Sequence, residues 1–374
     1  MIKFWSYQEE YKKYKKKLLS KINKTIKGGS IFFGRELKEF EKAFIKKYKF
    51  KYGVAVGSGT DALLLSLKTL SLKPGDEVIT AANTAIPTIS AIVNAGGIPK
   101  LVDVGEDYLI NVKKIENEIS KKTKAIIPVH LYGQMCDMDE IIKLSKKYNL
   151  SVIEDCAQAQ GALYKNKFAG SLGNFGCFSF YPTKILGAYG DGGFISTNNY
   201  KSFLHIKKLR FYGIETEKKS KFKNEYYAEI NGYNSRLDEI QSTILNFKLK
   251  KNEFYIKKRI ELAKIYSKKL NKTNLKLPIK NKNCKHVYHL FTVRHKKASL
   301  IKKLLMKKGI QTRTIYPYPI HKMNAYSKII NNKQKLINTS KFANEIFCLP
   351  LYPYLKLTKV KKITDTILKI MKNL

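Results

Sequence analysis

Arginine is scarce in this 374-residue chain. Only six of its 72 basic residues are arginine (Arg35, Arg210, Arg236, Arg259, Arg294 and Arg313). Acidic residues are also few, 29 in all, which leaves a formal charge of +43. A basic surface attracts polyanions whatever its fold. Here the lysines are scattered among Ile, Asn and Tyr along the whole chain, as a bias toward A/T-rich codons produces, so neither nucleic acid nor membrane is an expected partner. The five cysteines form no CxxC pair and are odd in number, which excludes a disulfide framework and gives no zinc pattern. The six histidines include no HExxH, and no metal site is expected. No window approaches 18 uninterrupted apolar residues, and the opening MIKFWSYQEEYKKYKKK has no apolar h-region. A cytoplasmic location is the expectation.

What remains is an ordinary globular composition, 44% hydrophobic and 12% aromatic, in a chain long enough for two domains. From about residue 51 to 197, short β-rich runs alternate with helical stretches, the pattern of a mostly parallel sheet covered by helices. The expected strands are 52–56, 77–80, 98–104, 125–130, 151–154, 177–180 and 193–196, seven in one α/β sheet. A second helix is expected near Ser235, after a polar loop, and a small α+β part follows. The expected division is a large domain over 1–250, including an N-terminal helical segment, and a small one over 251–374.

The segment GCFSFYPTKILGAYGDGG carries most of the chemistry. A strand ends at Phe180, Pro182 breaks it, and Lys184 follows just before a glycine-rich loop. Open α/β sheets bind ligands at such strand ends. A desolvated lysine there can condense with an aldehyde. Taken alone, Lys184 is one lysine among many on a solvated face, so its neighbours decide. In SVIEDCAQAQGA, Asp155 ends a strand, where a carboxylate can pair with a protonated pyridine nitrogen, and Gln158 offers an amide to a ring hydroxyl. Asp155 reads equally well as a helix N-cap. In GVAVGSGTDAL, a strand runs through small residues into a helix whose first amides favour a phosphate, although the P-loop pattern is absent. His130 and His321 each follow an extended run and read first as hydrogen-bonded structural histidines, second as pocket residues.

In order, GSGTDAL, EDCAQAQGA, FSFYPTKILGAYGDGG and GYNSRLDEIQ resemble the DegT/DnrJ/StrS-type sugar aminotransferases, a branch of the fold type I pyridoxal-phosphate enzymes, over about residues 34–326. The resemblance implies an aspartate-aminotransferase-like fold and pyridoxal 5′-phosphate as cofactor. It implies that Lys184 bonds the cofactor aldehyde and moves the proton, that Asp155 faces the pyridine nitrogen, and that Gln158 faces the ring hydroxyl. Gly59, Thr60 and Ser179 would hold the phosphate. It further implies a homodimer with shared active sites, Asn234 reaching the partner's phosphate and Arg236 the carboxylate of the L-glutamate donor. The alternative for Arg236 is an ion pair with Glu239, three residues on. Tyr189, Tyr316 and His321 are the implied contacts to a nucleotide-linked keto-sugar. Relatives that dehydrate rather than aminate carry histidine where this chain has Lys184. Two positions depart from the family: Ala85 stands where many members stack an aromatic ring on the pyridine, and Thr314, Ile315, Tyr316 and Pro317 replace Ile-His-Tyr-Pro. The NTAIPT segment is similar to enzymes that aminate C3 of dTDP-3-keto-6-deoxyhexoses.

Overall fold

The structure is a computed structural model that describes residues 1–215, 226–330, 332 and 334–374. All seven expected strands form, and they form one sheet: β1 (Tyr52–Val56), β2 (Glu77–Ala81), β3 (Ile98–Val102), β4 (Thr123–Ile127), β5 (Ser151–Asp155), β8 (Phe175–Ser179) and β9 (Gly193–Thr197). The spatial order is β1-β9-β8-β5-β4-β2-β3, with β9 alone antiparallel to its neighbours. Nearly every residue of these strands is buried, because helices cover both faces and leave no solvated side to enforce alternation. A short hairpin, β6 (Leu163–Tyr164) with β7 (Lys167–Phe168), is extended by β10 (Cys284–Lys285). The pair β11 (Phe291–Arg294) and β12 (Ile346–Leu349) lies in the C-terminal part.

Helices α1 (Gln8–Lys27), α2 (Arg35–Tyr48), α3 (Gly59–Lys68), α4 (Ile86–Asn94), α5 (Met138–Tyr148), α6 (Tyr200–Leu209) and α7 (Glu239–Leu249) belong to the first two thirds of the chain. After them come α8 (Asn252–Leu270), α9 (Ala298–Lys307), α10 (Asn324–Ser327), α11 (Ile337–Glu345) and α12 (Leu357–Lys372). Among the described residues no helix is long and apolar enough to cross a membrane. Two apolar cores sandwich the large sheet, and a third gathers α8, β11, α9, β12 and α12. Ile2 joins that third core and pairs with Ile310, so the N-terminus is sewn to the C-terminal part, an arrangement that periodicity does not announce. The polar loop expected over 215–227 lies almost wholly outside the described residues.

One boundary differs. The helix expected near Ser235 starts at Glu239, because the Asp238 side chain accepts the Gln241 N–H at 2.7 Å and caps it. Ser235 is engaged elsewhere, and Glu239 turns back to another helix. Its carboxylate accepts the N–H groups of Gly34 (2.8 Å), Glu36 (2.8 Å) and Leu37 (3.2 Å), the orphan donors at the start of α2. Gly34 has no side chain to cap its own helix, so α7 caps it from a distance. We expect Glu239→Ala to cost about 3 kcal/mol, since it strands three amides, one of them buried. Chemical denaturation should show this loss, and a change below about 0.5 kcal/mol would contradict the capping role.

Candidate active site

Five segments converge at the C-terminal edge of the sheet: residues 57–60 after β1, 83–88 after β2, 130–134 after β4, 155–158 after β5 and 179–184 after β8. Their parallel direction puts every one of these loops on the same side. Asp155, the last residue of β5, is 5% exposed. Its carboxylate accepts hydrogen bonds from the Thr88 hydroxyl (2.9 Å) and the Ala157 N–H (3.1 Å), which fix its plane. Burial raises the Asp155 carboxyl above its ordinary value, and those two bonds together with the charge of Lys184 hold it back. Lys184 sits in the turn after β8, where its N–H donates to Tyr181 O at 2.9 Å. Desolvation pulls its amine down to about 8, and Asp155 opposes that fall. The two expected partners therefore face each other electrostatically.

Gln158 is doubly fixed. Its Oε1 accepts the Tyr132 N–H (2.8 Å) and its Nε2 donates to the Tyr316 hydroxyl (2.7 Å), which leaves one amide hydrogen. Tyr132 holds that position with φ 59°, in the left-handed region that a bulky residue enters only under constraint. On the other side of the site, Ser58 caps α3 by accepting the Asp61 N–H, and the first amides of that helix, at Gly59 and Thr60, have no carbonyl one turn back within it. Gly59 lies so close to Ser179 that a Cβ would meet the serine Cβ at 2.6 Å. Gly59, Thr60 and Ser179 are thus brought to one place.

These residues fit the cofactor that the sequence implies. A buried carboxylate whose nearest cation is a partly neutral amine has room for a protonated ring nitrogen, and the Gly59 cradle puts amides and a hydroxyl where a phosphate would lie. No residue of the segment 82–93 lines the adjoining cavity, and Ala85 serves as the N-cap of α4.

That cavity, of about 350 Å³, is lined by Lys184, Gln158, Thr183, Tyr181, Ile315 and Tyr316, and in addition by Trp5, Arg259, His289 and Arg313. The second group was not anticipated as site residues. His289 is 6% exposed, and its imidazole is pushed well below the usual range by burial and by the charges of Lys184 and Arg259. Gly133, at φ 103°, makes its approach possible, because a Cβ there would meet His289 N at 2.7 Å.

Other expected contacts lie elsewhere. Tyr189 does not line the cavity; it packs against Tyr7 and Tyr11 of the N-terminal segment, with the Lys248 ammonium 4.9 Å from its ring centre. His321 is also away from it, with Nε2 3.4 Å from the Ser340 hydroxyl. His130 is structural. Its Nδ1 accepts the Cys136 N–H (3.2 Å), so Nε2 carries the proton toward Glu154 (2.9 Å), whose carboxylate also accepts the N–H groups of Gly170, Leu172 and Gly173. Arg236 makes no ion pair with Glu239, which is committed to α2. Its Nε donates to Asn234 Oδ1 (3.0 Å), and its guanidinium lies over Phe32, Phe211 and Tyr212. Neither Asn234 nor Arg236 lines this chain's own Lys184 cavity.

The sequence and the fold are matched by known proteins. Residues 12–368 match the model of the DegT/DnrJ/EryC1/StrS aminotransferase family. The chain is 38% identical to a dTDP-3-amino-3,6-dideoxy-alpha-D-galactopyranose transaminase of Aneurinibacillus thermoaerophilus, covering 98% of this chain and 99% of the relative. It is 35% identical to a UDP-N-acetyl-3-dehydro-alpha-D-glucosamine 3-aminotransferase of Acidithiobacillus ferrooxidans, over 94% of this chain and 92% of that one. Among solved structures, S. venezuelae DesV in complex with a ketimine intermediate superposes with a TM-score of 0.94 at 32% identity, covering 100% of this chain and 99% of the other. With a half-buried lysine facing a buried carboxylate at the sheet edge and family likeness along nearly its whole length, the chain belongs to the DegT/DnrJ/EryC1/StrS aminotransferases and is a pyridoxal-phosphate-dependent sugar aminotransferase of fold type I.

Proposed function

We propose that this enzyme moves the amino group of L-glutamate to C3 of a dTDP-3-keto-6-deoxyhexose, in the cytoplasm, for amino-sugar and surface-glycan synthesis such as lipopolysaccharide O-antigen. The observation that carries the transfer chemistry is the Lys184 amine, lowered to about 8 by burial beside Asp155. The 38% identity to a dTDP-sugar transaminase over nearly the whole chain supports the nucleotide and the carbon, as does the NTAIPT segment. The likeness to a UDP-sugar 3-aminotransferase keeps a UDP-linked substrate as the second reading.

Bound pyridoxal phosphate supplies an aldehyde that condenses with amines and a ring that takes up electrons. The chain's own residues do the rest. Asp155, oriented by Thr88 and Ala157, holds a negative charge at the ring-nitrogen end. Gly59, Thr60 and Ser179 would hold the phosphate, and the remaining amide hydrogen of Gln158 would be available to the ring hydroxyl. Lys184, about half neutral near pH 8, would carry the proton between the donor's α-carbon and the cofactor's C4′ carbon in the first half of the cycle, and would make the reverse transfer to the sugar carbon in the second. Two chains combine as a homodimer, in which Asn234 and Arg236 complete the partner's site. Their position outside this chain's cavity supports that reading, as do the neighbouring rings of Phe32 and Tyr212, 42% and 37% exposed.

In the cofactor-free protein, borohydride trapping of added pyridoxal phosphate on Lys184 should rise with pH through a midpoint near 8, rather than near the ordinary lysine value of 10.5. Asp155 stabilises the ammonium, so Asp155→Asn should move that midpoint lower; an unmoved midpoint would disconnect the pair. Lys184→Ala should lose roughly 10³-fold in turnover and show no spectral response to glutamate.

The substrate is read by mass. A panel of dTDP- and UDP-linked keto-sugars with glutamate should yield the aminated dTDP-3-keto-6-deoxyhexose fastest; preferential amination of a UDP-sugar would instead establish the second reading.

A further inference from the structure

The lining of the Lys184 cavity is rich in cations. No Asp or Glu is among the residues lining the cavity, whereas Lys184, Arg259 and Arg313 all are. Arg259, on α8, is 2% exposed. Its Nη1 donates to the carbonyls of His289 (3.0 Å) and Leu351 (2.9 Å), and its Nε has no hydrogen-bond partner. His289, bonded to Arg259 through that carbonyl, also has a buried ring nitrogen, Nδ1, without a partner. Burial pulls the Arg259 guanidinium down to about 10 and the charge of Glu10 opposes that fall, so it stays a cation, and an unpaired buried donor is costly. At the rim, Arg313 is exposed and its guanidinium makes no hydrogen bond or ion pair among the described residues. An exposed, unpaired guanidinium lining the same cavity as a buried guanidinium and a neutral buried imidazole suits an oxyanion from solution.

We infer that this lining is an oxyanion subsite for the distal carboxylate of a dicarboxylate amino donor, with Arg313 bonding the carboxylate and Arg259 and His289 supplying fixed positive potential and an N–H behind it. Geometry favours a donor over a nucleotide. The donor's α-carbon has to stand at the Lys184 amine, so its side chain stays within the same lining, and the cavity accommodates a small dicarboxylate whole. The donor has two carboxylates, so a guanidinium in this chain and Arg236 of a second chain are compatible. The inference deepens the proposed function and rests on it only for the identity of the donor as glutamate.

Trp5, the single tryptophan of the chain, lines this cavity and reports its occupancy without turnover. Glutarate, which has both carboxylates and no amine, should change the emission of the holoprotein saturably. Arg313→Gln should weaken glutarate at least tenfold and raise the KM for glutamate by a similar factor. The saturating rate of that half-reaction and the KM for the keto-sugar should stay as they were, and Arg313→Lys should recover part of the loss. Unchanged glutarate binding in Arg313→Gln would overturn the subsite. So would a loss confined to inorganic diphosphate and the keto-sugar, which would give the lining to the nucleotide. If glutamate leaves the wild-type cofactor spectrum unaltered while glutarate still needs Arg313, the donor identity fails and the dicarboxylate subsite stands.

Discussion

The site depends on a contest between burial and one opposite charge. An amine in a dry cavity sheds its proton easily, and a lone carboxylate in the same environment resists losing its own; placed together, each moderates the other. Lys184 ends at about 8 rather than far lower because Asp155 is there, and Asp155 remains a usable anion because Lys184, Thr88 and Ala157 hold it. The remaining architecture can be understood as the means of keeping those two groups dry, near and correctly turned. β5 and β8 are neighbouring parallel strands with Asp155 in register with Cys177, so a residue just past each strand end reaches the same small volume.

Hydrogen bonds between the motifs explain how sequence segments so far apart act as one unit. The Ser235 hydroxyl accepts the Gly57 N–H (3.0 Å) and donates to Asp61 (2.8 Å), tying the GYNSR segment to the start of α3. Gln160 Nε2 donates to Ser179 O (2.6 Å), so the turn after β5 sets the end of β8. Gln158 reaches Tyr132 and Tyr316, which join the loop after β4 to the C-terminal part. A shift in any one segment is felt by all, which makes the constellation rigid although its members come from strand ends, a helix start and loops.

Much of this was legible in the sequence, for identifiable reasons. The strands are short apolar runs punctuated by Gly, Pro and Asn, and a doubly covered sheet makes such runs stand out. Lys184 and Asp155 were legible because each directly follows or ends such a run. Arg259 was not. In the stretch KKRIELAK it sits among lysines on a helix and reads as solvated, and only the carbonyls of His289 and Leu351, thirty and ninety-two residues away, bury it. His289 shares that dependence on a distant partner. Tyr189 lies outside the Lys184 cavity and packs instead on Tyr7 and Tyr11 of the N-terminal segment, whose packing no local pattern specifies. Arg236 and Glu239 have ideal spacing for a helical pair, yet the helix begins only at Glu239, so that spacing has no meaning there.

The arginine shortage is itself informative once the burial is known. A chain biased so strongly to lysine keeps arginine where a lysine could not do the same work. Arg210 is 6% exposed and bonds both Glu41 and Ala55 O through Nη1, Arg294 is 5% exposed and bonds Glu106, and Arg259 holds two chain crossings by their carbonyls. Arg210 and Arg259 each bond two acceptors through a single Nη1, and all three keep a cation at a buried position, where an ammonium is more readily neutralised. Arg35 is the exception that tests the rule: it lies on the surface with Glu39 one turn away, where lysine would serve as well. Among the described residues Arg236 and Arg313 have no carboxylate partner; the planar guanidinium of Arg236 rests on the rings of Phe32, Phe211 and Tyr212, a contact that suits arginine over lysine, whereas Arg313 has no such contact to account for it.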